Sequence, residues 1–243
     1  MNKSAKLLSS IALLVSLTAY ASAEALNELK SSAKDMGVEA NVAVPTPAVL
    51  SKADLEARFR AKSPIVNFRI AEWVKTRESG IPEGLVFTGA SLLKEADYKY
   101  LARMGVKTVI SLQGLHTDDQ NMCKAYGLAC AQYDIFAFPK DFSDNDNFRA
   151  AFRRLVEETN AGNKVYIHCL GGYHRTGALA LAFRIRNQAC GKQFDKAALH
   201  NEVENLITGI YDYKGVYQLM LFNWHNDILK MVDKFEKNHW LCE

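Results

Sequence analysis

The sequence predicts an α/β fold in which helices flank a central, mostly parallel sheet within a single domain. Short apolar runs rich in β-branched residues alternate with segments of helical periodicity from residue 85 onward. This alternation is typical of a sheet covered by helices. The 243 residues are 49% hydrophobic and 23% charged, as in an ordinary globular protein, and they contain no repeat or low-complexity tract.

The elements follow in chain order. Strands are predicted at residues 85–88, 106–112, 128–135 and 164–168. Helices are predicted at 94–104, between Thr117 and Gly127, and at 148–159, and the chain is expected to be mostly helical after residue 177. Gly105 is expected to close the first helix, and Thr117 with Gln120 forms a capping box for the second.

The N-terminal segment predicts export. Lys3 and Lys6 precede an apolar run at residues 7–20, and Ala21-Ser22-Ala23 fits a small-x-small cleavage site. Residues 1–23 are therefore interpreted as a secretory signal peptide, with a retained membrane anchor as the alternative. The mature protein is expected to be periplasmic or secreted and not membrane-bound. Residues 24–66 are interpreted as an extension and residues 67–243 as the main domain.

Charge argues against a nucleic-acid partner. Removing residues 1–23 takes away two lysines and no acidic residue, which leaves 28 basic and 27 acidic side chains. A nearly neutral chain lacks the basic footprint that nucleic-acid binding requires.

Residues 165–177 carry the strongest functional signal. A β-branched run leads into His168 and Cys169, and Arg175 follows six residues later at the start of a helical pattern. A thiolate is the nucleophilic form of cysteine, and a helix N-terminus with a nearby cation stabilises it. The guanidinium of Arg175 can hold two oxygens of a tetrahedral oxyanion at once.

The rest of the loop fits the same chemistry. Gly171 and Gly172 allow backbone amides to approach an oxyanion closely. Thr176 is expected to donate a hydrogen bond to the Cys169 sulfur, and His168 to orient the nucleophile. The residues expected to bind phosphate are Leu170, Gly171, Gly172, Tyr173, His174 and Arg175, with Lys140 from a second loop. A buried structural cysteine and a metal site at His168, Cys169 and His174 are the disfavoured alternatives, since no second ligand cluster appears.

These residues resemble the His-Cys-x5-Arg-Ser/Thr signature of the cysteine-dependent protein tyrosine phosphatase superfamily. Weaker motifs at residues 67–69, 84–89 and 105–112 are similar to atypical dual-specificity phosphatases and to the phytases of that superfamily. The resemblance covers about residues 67–235. It implies a dual-specificity-phosphatase-like domain, a phosphocysteine intermediate at Cys169, and no metal or cofactor.

Such a mechanism needs a proton donor for the leaving oxygen. The polar loop before residue 148 offers Asp141, Asp144 and Asp146. The superfamily pattern favours Asp141, while Asp144 or Asp146 is expected to cap the following helix or to be solvated. Lys140 and His174 are candidate cations for additional phosphates.

The substrate is predicted to be a small phosphate ester or a phosphoprotein. Inositol polyphosphate is the favoured substrate because of the expected export and these two candidate cations, and phosphotyrosine or mixed protein substrates are the alternative. A rhodanese-type sulfurtransferase and an inactive phosphate-binding module are more distant alternatives.

Five cysteines are present, and Cys169 must stay free to act. The other four allow three disulfide connectivities, of which a Cys123–Cys130 bridge is favoured. The alternative is that all four are small buried hydrophobic residues.

Overall fold

The computed structural model describes residues 51–75, 82–114, 116–136, 142–209 and 217–243. Within them, five strands form one sheet: β1 (Arg69–Lys75), β2 (Pro82–Gly89), β3 (Val106–Ser111), β4 (Ala129–Gln132) and β5 (Lys164–His168). Their order is β1-β2-β5-β3-β4. The β1–β2 pair is antiparallel, and the other pairs are parallel. The predicted mostly parallel sheet is therefore confirmed.

Helices cover both faces of this sheet. They are α1 (Lys52–Lys62), α2 (Glu95–Arg103), α3 (Gln120–Ala125), α4 (Asp146–Asn160), α5 (His174–Ala189), α6 (Lys196–Gly209) and α7 (Tyr217–Asp233), followed by 3-10 turns at Phe235–Lys237 and His239–Cys242. None of the described helices is long and apolar enough to cross a membrane.

Strand β5 is buried on both faces, which explains its continuous apolar sequence. Val165 and Ile167 belong to the hydrophobic cluster that α4 to α7 form on one side of the sheet. Tyr166 belongs to the cluster on the opposite side, which includes Leu101 of α2 and Cys123 of α3. Successive side chains of a strand point to opposite faces, so β5 joins the two halves of the core.

Two local predictions need correction. Helix α3 begins two residues later than expected, because the Asp119 side chain, not Thr117, caps it by accepting from the amides of Asn121 and Met122. Strand β4 covers only Ala129–Gln132 of the predicted 128–135, and the chain leaves the sheet at Tyr133.

The structure contains two disulfides, Cys123–Cys130 and Cys190–Cys242, and Cys169 is a free thiol. The favoured Cys123–Cys130 pairing is confirmed. The second bridge joins the end of α5 to the last 3-10 turn, so the C-terminal residues are covalently tied to the helix that begins at His174.

Candidate active site

Cys169 lies at the carboxyl edge of the sheet, directly after the central strand. The last residue of β5, His168, is in register with Gly89 of β2 and Ser111 of β3. Cys169 is 2% exposed, and helix α5 begins five residues later at His174. Residues 169–174 therefore join the end of a buried strand to a helix N-terminus, as the sequence predicted.

Hydrogen bonds from two neighbouring segments hold this loop open. Ser91 donates two hydrogen bonds to the loop. Its amide nitrogen lies 3.2 Å from the Leu170 carbonyl oxygen, and its hydroxyl lies 3.2 Å from the Cys169 carbonyl oxygen. The Asn67 amide donates to the Gly171 carbonyl at 2.8 Å. In a trans peptide the following N–H points away from the carbonyl. The amides of residues 170–172 are therefore directed away from Ser91 and Asn67, where they can bind an oxyanion together.

Tyr173 fixes the far side of the loop. Its hydroxyl donates to the Asn67 side-chain oxygen at 2.5 Å. Its ring lies beneath the guanidinium of Arg69, 5.0 Å from ring centroid to Cζ. Asn67 adopts a left-handed backbone conformation with φ of 57°, which places its side chain between Gly171 and Tyr173.

Gly172 is required at its position by sterics. Its φ is +77°, and a Cβ atom there would lie 2.2 Å from the carbonyl carbon of Gly89. Any side chain would push the loop off the end of β2.

The Arg175 guanidinium is only partly used in hydrogen bonds to the fold. Its Nη1 atom donates to the carbonyls of Leu112 and Ile135 at 3.0 and 2.7 Å. Its Nε atom is buried and has no hydrogen-bond partner among the described residues. One edge of the planar group is thus anchored, and Nε remains as a donor for an oxyanion.

His168 is buried against a carboxylate that the sequence analysis did not identify. Its Nε2 atom lies 2.9 Å from Oδ2 of Asp118, and the two side chains are 0% and 2% exposed. Asp118 stands 50 residues before His168 in the chain, and its neighbour Thr117 suggested only a helix start. The sequence signal that could have identified Asp118 was its position next to Asp119, because one aspartate is enough to cap α3.

One predicted contact in the loop differs from the structure, and a second residue has a shifted pKa. The Thr176 hydroxyl is buried and makes no hydrogen bond to any described residue, so its expected bond to the Cys169 sulfur is not formed here. Burial, with a smaller contribution from the adjacent Arg175, lowers the pKa of His174 to about 4. His174 is therefore neutral at pH 7 in the free protein, and its role in phosphate binding stays a prediction.

Lys140 and Asp141 lie outside the described residues, so their roles stay predictions. The other two acid candidates are placed by the structure. Asp144 is exposed and lies 3.7 Å from Arg149, and Asp146 is the exposed first residue of α4. The cap of that helix is Asn145, whose side chain accepts from the Phe148 amide at 2.9 Å.

The site combines a buried free thiol, a ring of backbone amides, a helix N-terminus and an anchored guanidinium. In the part of the chain that the structure describes, no group of three or more His, Cys, Asp or Glu side chains could hold a metal ion. The fold and the site together define an enzyme that binds a tetrahedral oxyanion and attacks it with cysteine.

Comparison with known proteins identifies this class more closely. Residues 84–189 match the family described as a DSP-PTPase phosphatase of polymorphic toxin systems. Over these residues, fewer than half of the chain, the sequence matches a phosphatase family of the superfamily that the His168–Thr176 signature resembles, in agreement with the predicted hydrolysis of phosphate monoesters.

Several solved structures are similar. TpbA from P. aeruginosa is 22% identical, with 61% of this chain and 82% of that chain covered and a TM-score of 0.42. The core of the PP-IP phosphatase SIW14 from S. cerevisiae is 18% identical, with 73% and 96% covered and a TM-score of 0.41. Tk-PTP in its active form is 19% identical, with 63% and 93% covered and a TM-score of 0.45. No curated protein sequence matches the chain.

Proposed function

We propose that this protein is an exported phosphatase that acts on phosphotyrosine or mixed phosphoprotein substrates. The observation that carries the choice of substrate is the apolar border of the phosphate-binding loop. It favours the alternative of the sequence analysis over inositol polyphosphate.

The large hydrophobic side chains that stand out as exposed among the described residues are Val66, Leu93, Phe136 and Leu170, each between 66% and 73% exposed. Leu170 belongs to the loop itself. The other three lie on segments that hold the loop: the Val66 carbonyl accepts from Ala90, Leu93 comes two residues after Ser91, and Phe136 follows Ile135, whose carbonyl holds Arg175.

Exposed apolar groups are ordinary when scattered, but their concentration beside one site indicates a contact surface. We define these four residues as the apolar rim. An aromatic ring carrying the phosphate, with aliphatic neighbours along a peptide, would bury apolar area against the rim at roughly 25 cal/mol per Å².

An inositol polyphosphate offers this rim nothing apolar and needs several cations instead. His174 is neutral at pH 7. Arg69 is 9% exposed and stacks on Tyr173. The observed charge distribution among the described residues around the loop therefore supports a substrate with one phosphate beside an apolar group.

The proposed reaction has two steps. The Cys169 thiolate attacks phosphorus in line, which forms an S–P bond and breaks the P–O bond to the leaving group. Arg175 Nε and the loop amides bind the remaining phosphate oxygens as charge builds on them. Asp141 gives its proton to the leaving oxygen. Asp141 then takes a proton from water as the water attacks phosphorus, and the S–P bond breaks to release phosphate and the thiolate.

Export is supported by the cysteines as well as by the signal-peptide pattern. Four of the five cysteines form disulfides, and only the nucleophile is free. Disulfides persist in oxidising compartments such as the periplasm or the extracellular space. The match to a family described as phosphatases of polymorphic toxin systems is consistent with action outside the producing cell.

The test is phosphate release by residues 24–243 from a phosphotyrosine peptide with aliphatic flanking residues and from inositol hexakisphosphate. The Cys169→Ser variant is the blank. We expect a higher kcat/KM on the peptide. A clear preference for inositol hexakisphosphate would overturn the substrate assignment in favour of the phytase-like alternative, and thiocyanate formation without phosphate release would favour sulfur transfer.

The rim has its own control. Leu93→Lys and Phe136→Lys should lower kcat/KM on the peptide by roughly tenfold, because each replaces apolar contact area by a charge. Turnover of para-nitrophenyl phosphate, which shares the aromatic ring but lacks the aliphatic flanking residues, should fall distinctly less. Equal losses on both substrates would show that the substitutions disturb the loop itself.

A further inference from the structure

We propose that Asp118 is a positioning residue that acts on Cys169 through His168. The proposal depends on the phosphatase activity of the domain and not on the substrate class argued above.

The first observation is the burial of an acid–base pair next to the nucleophile. Asp118 lies on the segment between β3 and α3, and its Oδ2 atom is 2.9 Å from Nε2 of His168. Both side chains are removed from water. A buried carboxylate is costly unless it is paired, and His168 is the described partner of this one.

The second observation is that the pairing with His168 satisfies only one of the two carboxylate oxygens of Asp118. The other carboxylate oxygen of Asp118, Oδ1, is buried and has no hydrogen-bond partner among the described residues. Such an unsatisfied atom lowers stability. An Asp at this position is therefore better explained by what it does to His168 than by a contribution to the fold.

The third observation concerns the other side of the imidazole ring. His168 Nδ1 lies 3.5 Å from Nε2 of Gln113 and 3.4 Å from the carbonyl of Cys169. An ionised Asp118 carboxylate accepts hydrogen bonds and cannot donate them. The His168 nitrogen that faces it, Nε2, must therefore carry a proton. A neutral ring then presents Nδ1 as an acceptor to Gln113, and a protonated ring presents it as a donor to the Cys169 carbonyl.

The network reaches the nucleophile by a second path. Gln113 Nε2 donates to the Ser91 hydroxyl at 2.6 Å, and that hydroxyl lies 3.2 Å from the Cys169 carbonyl. The Tyr166 ring stacks on His168 with 5.7 Å between ring centroids. Two side chains that contact the Cys169 carbonyl, those of His168 and Ser91, are thus linked to each other through Gln113. Without the Asp118 carboxylate, His168 could carry its proton on either nitrogen. The hydrogen bonds that position Cys169 and its thiolate would then no longer be fixed.

The experiment compares Asp118→Asn with a matched control, Asp227→Asn. Asp227 is also a buried carboxylate paired with a cationic side chain, Lys230, but it lies in α7. We expect Asp118→Asn to lower kcat on para-nitrophenyl phosphate by roughly ten- to a hundredfold with little change in KM, because small misplacements of a nucleophile cost this much. The pH midpoint of Cys169 alkylation by iodoacetamide should shift as well. Asp227→Asn should change neither readout.

A double-variant cycle separates positioning from general damage. If Asp118 acts through His168, Asp118→Asn should have little further effect in a His168→Gln background. Fully additive losses, or an unchanged kcat and alkylation profile in Asp118→Asn, would overturn the proposal.

A measurement on the unsubstituted protein covers the case in which the variants do not fold. Nitrogen-15 NMR of labelled histidine should show His168 carrying a proton on Nε2 throughout the range in which the enzyme is active. A neutral ring protonated on Nδ1 would contradict the proposed role of Asp118.

Discussion

Gly172, in the loop between Cys169 and α5, lies directly against the carbonyl group of Gly89, at the end of β2. A Cβ atom on Gly172 would be 2.2 Å from the Gly89 carbonyl carbon, and the Gly172 φ is +77°. The contact is between backbone atoms, so no side-chain rotation can relieve it. The closeness of the loop to the sheet thus depends on a missing side chain.

We therefore expect Gly172→Ala to reduce kcat/KM by at least roughly a hundredfold, because the loop amides and Cys169 would move together. The matched control is Gly162→Ala. Gly162 has almost the same φ, +78°, but an added Cβ would meet no atom within 4 Å. The Gly162→Ala substitution should lower the free energy of unfolding by about 1 kcal/mol through backbone strain alone and leave turnover intact. Equal activity of the two variants would contradict the steric account.

Arg175→Lys should also impair the enzyme although it conserves charge. Arg175 uses Nη1 to hold the carbonyls of Leu112 and Ile135, while its Nε is buried without a partner among the described residues. A lysine ammonium is a point charge that cannot replace both donor groups. We expect a loss of roughly 100- to 1,000-fold in kcat/KM. Arg184→Lys on the same helix, where the side chain pairs with Glu202, is the control and should retain activity.

The predictable part of this structure is the part whose constraints are local in sequence. The nucleophile, the glycines, the arginine and the helix start all fall within residues 168–177, because a loop around one oxyanion must be short. Four strands were predictable from continuous apolar runs. Strand β1 was not, since a register shift between Ile70 and Glu72 breaks the alternation of its side chains at the sheet edge.

Residues that meet only through the fold could not be predicted. Asp118 contacts His168 across 50 positions of the chain, and the apolar rim is assembled from four separate segments. The lowered pKa of His174 could not be predicted for the same reason, because its burial beside Arg175 depends on packing that the sequence does not display.

His174 gives the protein a defined acid sensitivity. Its pKa is about 4 in the folded state, against an ordinary value of 6.5, because of burial first and Arg175 second. The unfolded chain therefore binds a proton before the folded protein does as the pH falls from 6.5 towards 4. Folding stability is lost in that window and is unaffected above it. We expect a loss on the order of 1–2 kcal/mol, allowing for partial exposure of the ring.

Thermal unfolding at pH 7.5 and pH 5 checks this expectation. His174→Gln should lose less melting temperature between the two pH values than the unsubstituted protein. His239→Gln, which changes an exposed histidine in the last 3-10 turn, is the control and should behave like the unsubstituted protein. An identical pH response of all three proteins would show that His174 does not contribute.

The two disulfides should differ in their contribution to stability. Cys190–Cys242 spans 52 positions, whereas Cys123–Cys130 spans 7. On a loop-closure basis, replacing the first pair by alanine should lower the free energy of unfolding by about 4 kcal/mol, and replacing the second by about 2.5 kcal/mol. Activity should survive the first change under native conditions, because the Arg186 side chain still donates to the Leu241 carbonyl. Equal losses in urea unfolding would contradict the ranking.

Asp141→Asn tests the remaining catalytic assignment by the chemistry of the leaving group. A poor leaving group such as an alkoxide needs its proton in the transition state, whereas para-nitrophenolate does not. Removing the acid should therefore lower kcat roughly 100-fold or more on an alkyl phosphate and far less on para-nitrophenyl phosphate. Asp144→Asn is the matched control, since Asp144 is exposed and pairs with Arg149. Equal losses on the two substrates, or a leaving-group effect that appears in the Asp144 variant, would move the proton donor away from Asp141.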